Sequence, residues 1–190
     1  MRIVASLFVL SLLAACAESP EDAANKQVAE IQRQAEKDNP QAQFQLAQML
    51  RTGDGIPKDL PQAVEWYRKA ADQGMPDAQH NLGVAFDNGQ GVKENDAEAA
   101  QWYRRAAEQG RPNAQYGLAR LLLFGKGVEH DPPAAARWLR IAAQAKHVDS
   151  IYNLGLMNRD GLGMPTNSLM AGKWLILSAK LGKLEVAIRV

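Results

Sequence analysis

The sequence predicts an all-α protein, a solenoid of four 36-residue helix–turn–helix repeats with short helical caps at both ends. Two observations predict this fold class. Tryptophans and pairs of glycines recur along the chain with the same 36-residue interval, and apolar residues between them follow the three- and four-residue steps of amphipathic helices. A constant period of this length is typical of stacked repeats, each of which buries its apolar face against the next. The tryptophans are Trp66, Trp102, Trp138 and Trp174.

The first fifteen residues predict a signal peptide. Arg2 precedes an apolar run over residues 3–14, which is shorter than the about 20 residues that span a bilayer. The run leads through Ala14 and Ala15 to Cys16, the only cysteine of the chain. This segment resembles the lipobox of bacterial lipoproteins, in which the cysteine is lipidated and becomes the first residue after cleavage. An ordinary signal peptide with an incidental cysteine is the alternative.

The lipobox resemblance implies that acyl chains on Cys16 anchor the protein to a membrane. Ala17, which follows the cysteine, implies by the same resemblance a place in the outer membrane, facing the periplasm. Residues 16–22 contain Ser19 and Pro20 and predict a flexible tether between the lipidated cysteine and the helical domain.

Helical patterns fill the rest of the chain and divide it at the repeat period. Residues 23–39 predict an N-terminal capping helix, and residues 184–190 predict a partial capping helix that begins a fifth unit. The four repeats between these caps are expected at residues 40–75, 76–111, 112–147 and 148–183.

The first repeat illustrates the signals within each unit. Ala42, Leu46 and Met49 lie on one stripe of its first helix, and Gly53 and Gly55 permit the chain to reverse because glycine adopts positive φ. Each tryptophan, on the second helix, is expected to fill the gap between neighbouring repeats. An aspartate or asparagine stands where each second helix needs an N-cap, at Asp59, Asn95, Asp131 and Asn167.

These columns together resemble the Sel1-like repeat, a relative of the tetratricopeptide repeat. The resemblance covers residues 40–183 and implies a right-handed superhelix in which the first helices line a concave, partner-binding face. In the second unit the matching residues are Ala78, Leu82 and Gly83, then Gly89, Gly91 and Val92, then Trp102, Tyr103, Ala106 and Ala107.

Two groups of residues on the predicted concave face are candidates for partner binding. In the third repeat, Leu123 and Phe124 are apolar where the other repeats have polar or charged residues, and with Tyr116 and Arg120 they predict an apolar patch with one charge. Packing of Leu123 on the fourth repeat is the alternative. The second group is a column of ring-bearing side chains at equivalent positions of the four repeats. Two roles remain open for them, as a binding hot spot and in internal packing: Phe44, His80, Tyr116 and Tyr152.

Charge and motifs disfavour two classes of function. A formal net charge of +1 gives no electrostatic reason to bind nucleic acid. The three histidines lie at unrelated positions of the repeats, and the chain contains no G-x-S-x-G, H-E-x-x-H or phosphate-loop motif. We therefore predict no catalytic residue, metal site or cofactor, and we expect the protein not to be an enzyme.

The Sel1-like resemblance implies an adaptor for an unknown protein partner, in a scaffold, signalling or toxin-immunity role. The partner would be a secreted toxin or a component of envelope assembly. A glycan- or exopolysaccharide-associated role is the alternative, since Tyr116 and Tyr152 with Asp149 and Asn153 could form a binding platform. A hydrolase of the Sel1-like β-lactamase type is a remote alternative, because its members have paired cysteines in each repeat and this chain has one cysteine.

Overall fold

The computed structural model describes residues 19–183. Within this range nine α-helices follow one another, and no strand is present. One helix precedes the repeats, and the others form four pairs, which confirms the predicted all-α solenoid of helix–turn–helix repeats. The helices are α1 (Pro20–Glu36), α2 (Pro40–Thr52), α3 (Leu60–Asp72), α4 (Pro76–Asn88), α5 (Asp96–Glu108), α6 (Pro112–Phe124), α7 (Pro132–Gln144), α8 (Val148–Asp160) and α9 (Ser168–Lys180).

Helix α1 begins three residues earlier than the sequence predicted, so residues 20–22 belong to this helix and not to a tether. Ser19 sets the start, because its Oγ accepts a hydrogen bond from the backbone N–H of Asp22 at 3.0 Å and Pro20 occupies the first turn. The helix packs on α2 and buries Ala35. The lipidation predicted at Cys16 and the partial cap predicted at 184–190 lie outside the described residues.

Each repeat reverses direction at its two glycines. The first ends the first helix in the left-handed conformation, as Gly53 does with φ of 82°. The second also lies against the preceding repeat: a Cβ added to Gly127, whose φ is 63°, would stand 2.2 Å from the carbonyl carbon of Asp96. Alanine there would meet both backbone strain and a clash. The predicted N-caps of the second helices are confirmed, since each side chain accepts a backbone N–H: Asp59, Asn95, Asp131 and Asn167.

The tryptophans are buried less uniformly than the sequence led us to expect for residues that fill the gaps between repeats. Trp102 is buried, but the other three are half-buried at the margin of the core. In the first three repeats the next residue of the second helix is buried in the core, where Tyr67, Tyr103 and Leu139 are only 2%, 3% and 2% exposed. Successive helix residues are rotated by about 100°, so one step along the helix moves a side chain from the margin to the interior.

Buried glutamines tie three of the first helices to the helix before them, and we call the set of their hydrogen bonds the glutamine ladder. Their Nε2 atoms donate to alanine carbonyls eight residues earlier at 3.1 or 3.2 Å, from Gln43, Gln79 and Gln115. In the first repeat a second glutamine completes the contact, because Gln73 Nε2 donates to Gln43 Oε1 at 2.8 Å. Gln109 does the same for the second repeat. The equivalent third position is Ala145, and within residues 19–183 Gln115 Oε1 is buried without a donor.

Replacing Ala145 by glutamine is expected to stabilise the fold by about 0.5–1.5 kcal/mol, because the new amide supplies the donor that Gln115 Oε1 lacks. Ala145 is exposed, so the longer side chain displaces no core atom. Urea denaturation followed by circular dichroism measures the change. Ala145→Glu is the control, because a carboxylate has similar size and no donor. Equal stability of wild type and Ala145→Gln would contradict this account of the ladder.

Candidate partner-binding surface

The four rings of the predicted column lie at equivalent positions of the first helices, and we call the side of α2, α4, α6 and α8 on which they stand the first-helix surface. Contacts between rings hold these residues in place. The ring centre of Phe44 lies 5.8 Å from that of Tyr67, and the ring centre of Tyr116 lies 5.2 Å from that of His147. The column therefore contributes packing as well as surface. Its members, all half-buried, are Phe44, His80, Tyr116 and Tyr152.

His80 packs its ring with one nitrogen buried. Its ring centre lies 5.8 Å from that of Tyr103, and in the described part of the chain its buried Nδ1 has no hydrogen-bond partner. Burial lowers the pKa of His80, because the charged imidazolium would lose its hydration. His80 is thus a neutral ring at neutral pH, and its environment is that of a packing residue.

Arg120 lies at the junction between the second and third repeats, where it forms an ion pair with Asp87. The side chain of Asp87 is only 8% exposed, and that of Arg120 is 32% exposed. Tyr103 Oη also donates to Asp87 Oδ2, at 3.1 Å, and burial raises the pKa of Tyr103. Arg120 is therefore a link between repeats, in addition to being the one charge of the predicted apolar patch.

At each junction between consecutive repeats, the polarity of this surface depends on two side chains sixteen residues apart, one from each helix of the earlier repeat. In the first two pairs the second residue is a tyrosine whose hydroxyl bonds to the polar first residue, at 3.2 and 3.1 Å. In the third pair both residues are leucine, so neither a hydroxyl nor a charge occupies the space. The pairs are Arg51 with Tyr67, Asp87 with Tyr103, and Leu123 with Leu139.

An apolar pocket of about 200 Å³ opens at the third junction. Leucine at position 139 is shorter than the tyrosine of the first two junctions, and the room that a tyrosine ring would take remains open. Phe124, at its edge, is 66% exposed. The structure thus brings together the four residues of the predicted patch, Asn153 from the predicted glycan platform, and two residues that the sequence analysis did not select, Ala119 and Leu139. The lining residues are Tyr116, Ala119, Arg120, Leu123, Phe124, Leu139 and Asn153.

The first junction has a smaller pocket, of about 150 Å³, with a different lining. Arg51, Asn81 and Gln90 contribute polar groups to it, and Tyr67 occupies the position that leucine holds at the third junction. An apolar side chain entering this pocket would strip water from those polar groups, which costs free energy unless the groups are paired. The third junction is therefore the better apolar site.

The platform considered for glycan binding is already engaged by the protein itself. Lys183 Nζ lies 4.7 Å from the centre of the Tyr152 ring and forms an ion pair with Asp149. Asn153 Nδ2 donates to the backbone carbonyl of Asp149 at 2.8 Å. A sugar ring would have to displace Lys183 before stacking on Tyr152, so this arrangement favours the glycan alternative less than the sequence did.

Two further features bear on the kind of site present. Across residues 19–183, histidine, cysteine, aspartate and glutamate side chains form no cluster of three that could hold a metal ion. The helices of the same range also include none with both the length and the apolar character required to cross a membrane.

Comparison with known proteins identifies the repeat. The family model of the Sel1 repeat matches the chain four times, at residues 40–75, 76–110, 112–147 and 148–183. None of the curated proteins matches the sequence.

Solved structures with the same fold come from several bacteria. A protective antigen of uropathogenic Escherichia coli with an SLR fold is 32% identical, with a TM-score of 0.80 over 83% of this chain and 34% of that one. A Sel1 repeat protein of Oxalobacter formigenes is 34% identical, with a TM-score of 0.73 over 77% of this chain and 60% of that one. The chain thus spans about a third and three fifths of these two proteins.

Cysteine rich protein B of Helicobacter pylori shares the fold alone, at 24% identity and a TM-score of 0.53 over 66% of this chain and 90% of that one. The repeat matches cover most of the described residues, and they agree with the four helix pairs and their glycine turns. The chain therefore belongs to the Sel1 repeat family, whose members are generally scaffolds for protein–protein interaction.

Proposed function

We propose that this protein is a non-enzymatic adaptor that binds a protein partner on the first-helix surface, with the pocket of the third junction as the anchoring point. The observation that carries the proposal is this pocket, because it is apolar, open and flanked by the exposed ring of Phe124. An exposed aromatic beside a pocket is the usual setting of a binding hot spot.

The pocket fits one apolar side chain of the partner. Its volume of about 200 Å³ suits a leucine, methionine or phenylalanine side chain, and burying such a group contributes about 1.5–3 kcal/mol. Asn153 and Tyr116 line the same pocket, and each carries a polar group able to bond to the backbone of the inserted segment. The partner is therefore expected to present a protruding apolar residue on an extended or helical segment.

Filling the pocket is expected to abolish partner binding without removing any side chain. Leu139→Tyr restores the residue found at the first two junctions, and its ring should occupy the pocket. Co-purification of the tagged full chain from its native cells, after cross-linking and detergent extraction, measures recovery of the partner. A thermal melt within a few degrees of the wild type shows that the variant is folded.

Leu162→Ser is the matched control, because Leu162 is an exposed apolar residue, 45% accessible, in a turn outside the pocket. A protein recovered with the wild type and the control, and lost with Leu139→Tyr, would support the proposal. Equal recovery from all three would place the site elsewhere. Recovery of a polysaccharide in place of a protein would replace the adaptor function with the glycan-associated one.

The second part of the proposal is that acyl chains on Cys16 hold the adaptor at the outer membrane, on its periplasmic side. The lipobox resemblance supports this location, and a secreted toxin or a component of envelope assembly would meet the adaptor there. Scaffold, signalling and toxin-immunity roles all require the same anchored, partner-binding domain.

Cys16→Ser is expected to move the protein from the membrane fraction to the soluble fraction, because one thiol is the only attachment point for the lipid. Fractionation with a high-salt wash, followed by immunoblotting, measures the change. The wash removes protein held by charge alone, so material that resists it is held by lipid or by an apolar segment. Retention of the mutant after the wash would refute the anchor.

A further inference from the structure

The second helices of the repeats each present five equivalent positions to solvent, and every residue at these positions is exposed. In the first repeat these residues are Pro61, Glu65, Arg68, Lys69 and Asp72. In the fourth repeat they are Leu169, Lys173, Ile176, Leu177 and Lys180. The outer face thus changes along the solenoid from a mixture of both charges to apolar residues with lysines.

Three apolar side chains of α9 are widely exposed to solvent. Leu169 is 70% exposed, Ile176 59% and Leu177 39%, and Ile141, the residue of α7 equivalent to Leu177, is 45% exposed. Leu169, Lys173, Ile176 and Lys180 follow one another at steps of four, three and four residues, which places them on one side of the helix. This side of α9 is an apolar stripe with lysines within it.

Acidic residues are missing from the same surface. Helices α7 and α9 contain no aspartate or glutamate, whereas α3 and α5 each contain at least two. The wider chain shows the same asymmetry: residues 19–111 carry eleven basic and fifteen acidic side chains, and residues 112–183 carry nine basic and four acidic ones. We call the outward side of α7 and α9 the basic outer face.

We infer that the basic outer face docks on an anionic membrane surface. Apolar side chains at this exposure can enter the interfacial region of a lipid layer, while lysine and arginine extend to the phosphate groups. Arg137, Arg140, Lys173 and Lys180 give the complementary charge. A second copy of the chain fits less well, because pairing two such faces would bring like charges together.

This inference is independent of the first-helix surface and of Cys16. The rings and the pocket of the first-helix surface lie on the first helices, except for Leu139, and the basic outer face lies on the second helices. Docking through α7 and α9 would therefore lay the solenoid on the membrane and leave the pocket free for a partner.

A fluorophore that responds to polarity tests which face meets the lipid. It is attached to a single cysteine in the full chain carrying Cys16→Ser, either at Ile176→Cys or at Arg68→Cys, the equivalent position of the first repeat. Large vesicles of phosphatidylcholine with phosphatidylglycerol are added, and vesicles of phosphatidylcholine alone are the comparison. We expect a blue shift and a gain in intensity at position 176 with the anionic vesicles only, and no change at position 68.

Charge reversal provides the second arm. Lys173→Glu with Lys180→Glu is expected to weaken anionic-vesicle binding, read at position 176, by about 30-fold or more, as the loss of two basic contacts implies. Arg68→Glu with Arg104→Glu is the control with the same change in net charge, placed on the outer faces of α3 and α5. It should leave binding within about threefold, because these residues lie outside the docking face.

Three results would overturn the inference: no response at position 176, an equal response at 68 and 176, or a shift at 176 that needs only higher protein concentration. The last would assign the face to self-association. None of these results affects the co-purification test of the pocket, so failure of the docking face and failure of the adaptor function are distinguishable.

Discussion

Replacing Tyr103 by alanine is expected to lower the free energy of unfolding by about 3–5 kcal/mol, the range for loss of a large buried aromatic side chain. The ring is 3% exposed and lies between two glycines. A Cβ on Gly83 would stand 2.7 Å from the ring and one on Gly117 would stand 2.9 Å from it. Neither glycine has a side chain that could move into the space, so the cavity would stay open. Urea denaturation followed by circular dichroism measures the loss.

Tyr103→Phe separates the ring from its hydroxyl. This change keeps the packing and removes the donor to Asp87, so it should cost only about 1–2 kcal/mol. A cost of less than about 1 kcal/mol for Tyr103→Ala would contradict the central position given to this ring. Trp138→Ala is a useful comparison, because that tryptophan is half-buried and should cost less.

Removing Arg120 is expected to destabilise the protein by about 3 kcal/mol, because the Asp87 side chain, which is 8% exposed, would lose its ion-pair partner. The guanidinium is the closest cation to that carboxylate, and Tyr103 Oη would be the remaining donor. The measurement is the shift of the urea midpoint for Arg120→Ala at constant slope.

The double variant Asp87→Leu with Arg120→Met is the control for this prediction. It is made in the Tyr103→Phe background, so that no buried hydroxyl loses its acceptor. It removes both charges and leaves apolar groups of similar size, so relative to that background it should be less destabilised than Arg120→Ala alone. If the double variant lost as much free energy of unfolding as its two single variants lose together, the two charges would not be coupled. Arg120→Ala is also a poor probe of partner binding, since its stability effect would be mistaken for a lost contact.

The fold could be predicted from the sequence because every repeat carries the same signals. A glycine pair, a capping aspartate or asparagine and an apolar stripe recur together. Each of these signals determines the structure of only a few neighbouring residues, so it can be recognised without knowing the rest of the fold. The start of α1 was missed by three residues, because Ser19 and Pro20 are typical of both flexible segments and helix starts. In the first and third repeats the residue after the tryptophan is more buried than the tryptophan itself. The tryptophan was chosen from the sequence because it is the larger and more regularly spaced of the two residues.

The site could be predicted only in part. Leu123 and Phe124 were selected because they break the polar pattern of their columns, and Tyr116 because it belongs to the column of rings. All three line one pocket. The role of Arg120 depends on Asp87, which lies 33 residues earlier, so no local pattern reveals it. The pocket itself had a signal in the sequence, since tyrosine at two repeats gives way to Leu139 at the third.

The incomplete glutamine ladder also has a consequence for how the chain opens. Gln115, within the third repeat, lacks the donor that its counterparts have, and the junction between the third and fourth repeats holds a cavity in place of a tyrosine ring. In a linear array the end units separate at their least stabilised junction, so amide hydrogens of α8 and α9 should exchange with solvent sooner than those of α4 and α5. A ligand in the pocket touches both sides of that junction. Ligand binding would therefore slow amide hydrogen exchange in the fourth repeat. The occupancy of the pocket can then be measured from the exchange rates of the protein, without detecting the ligand.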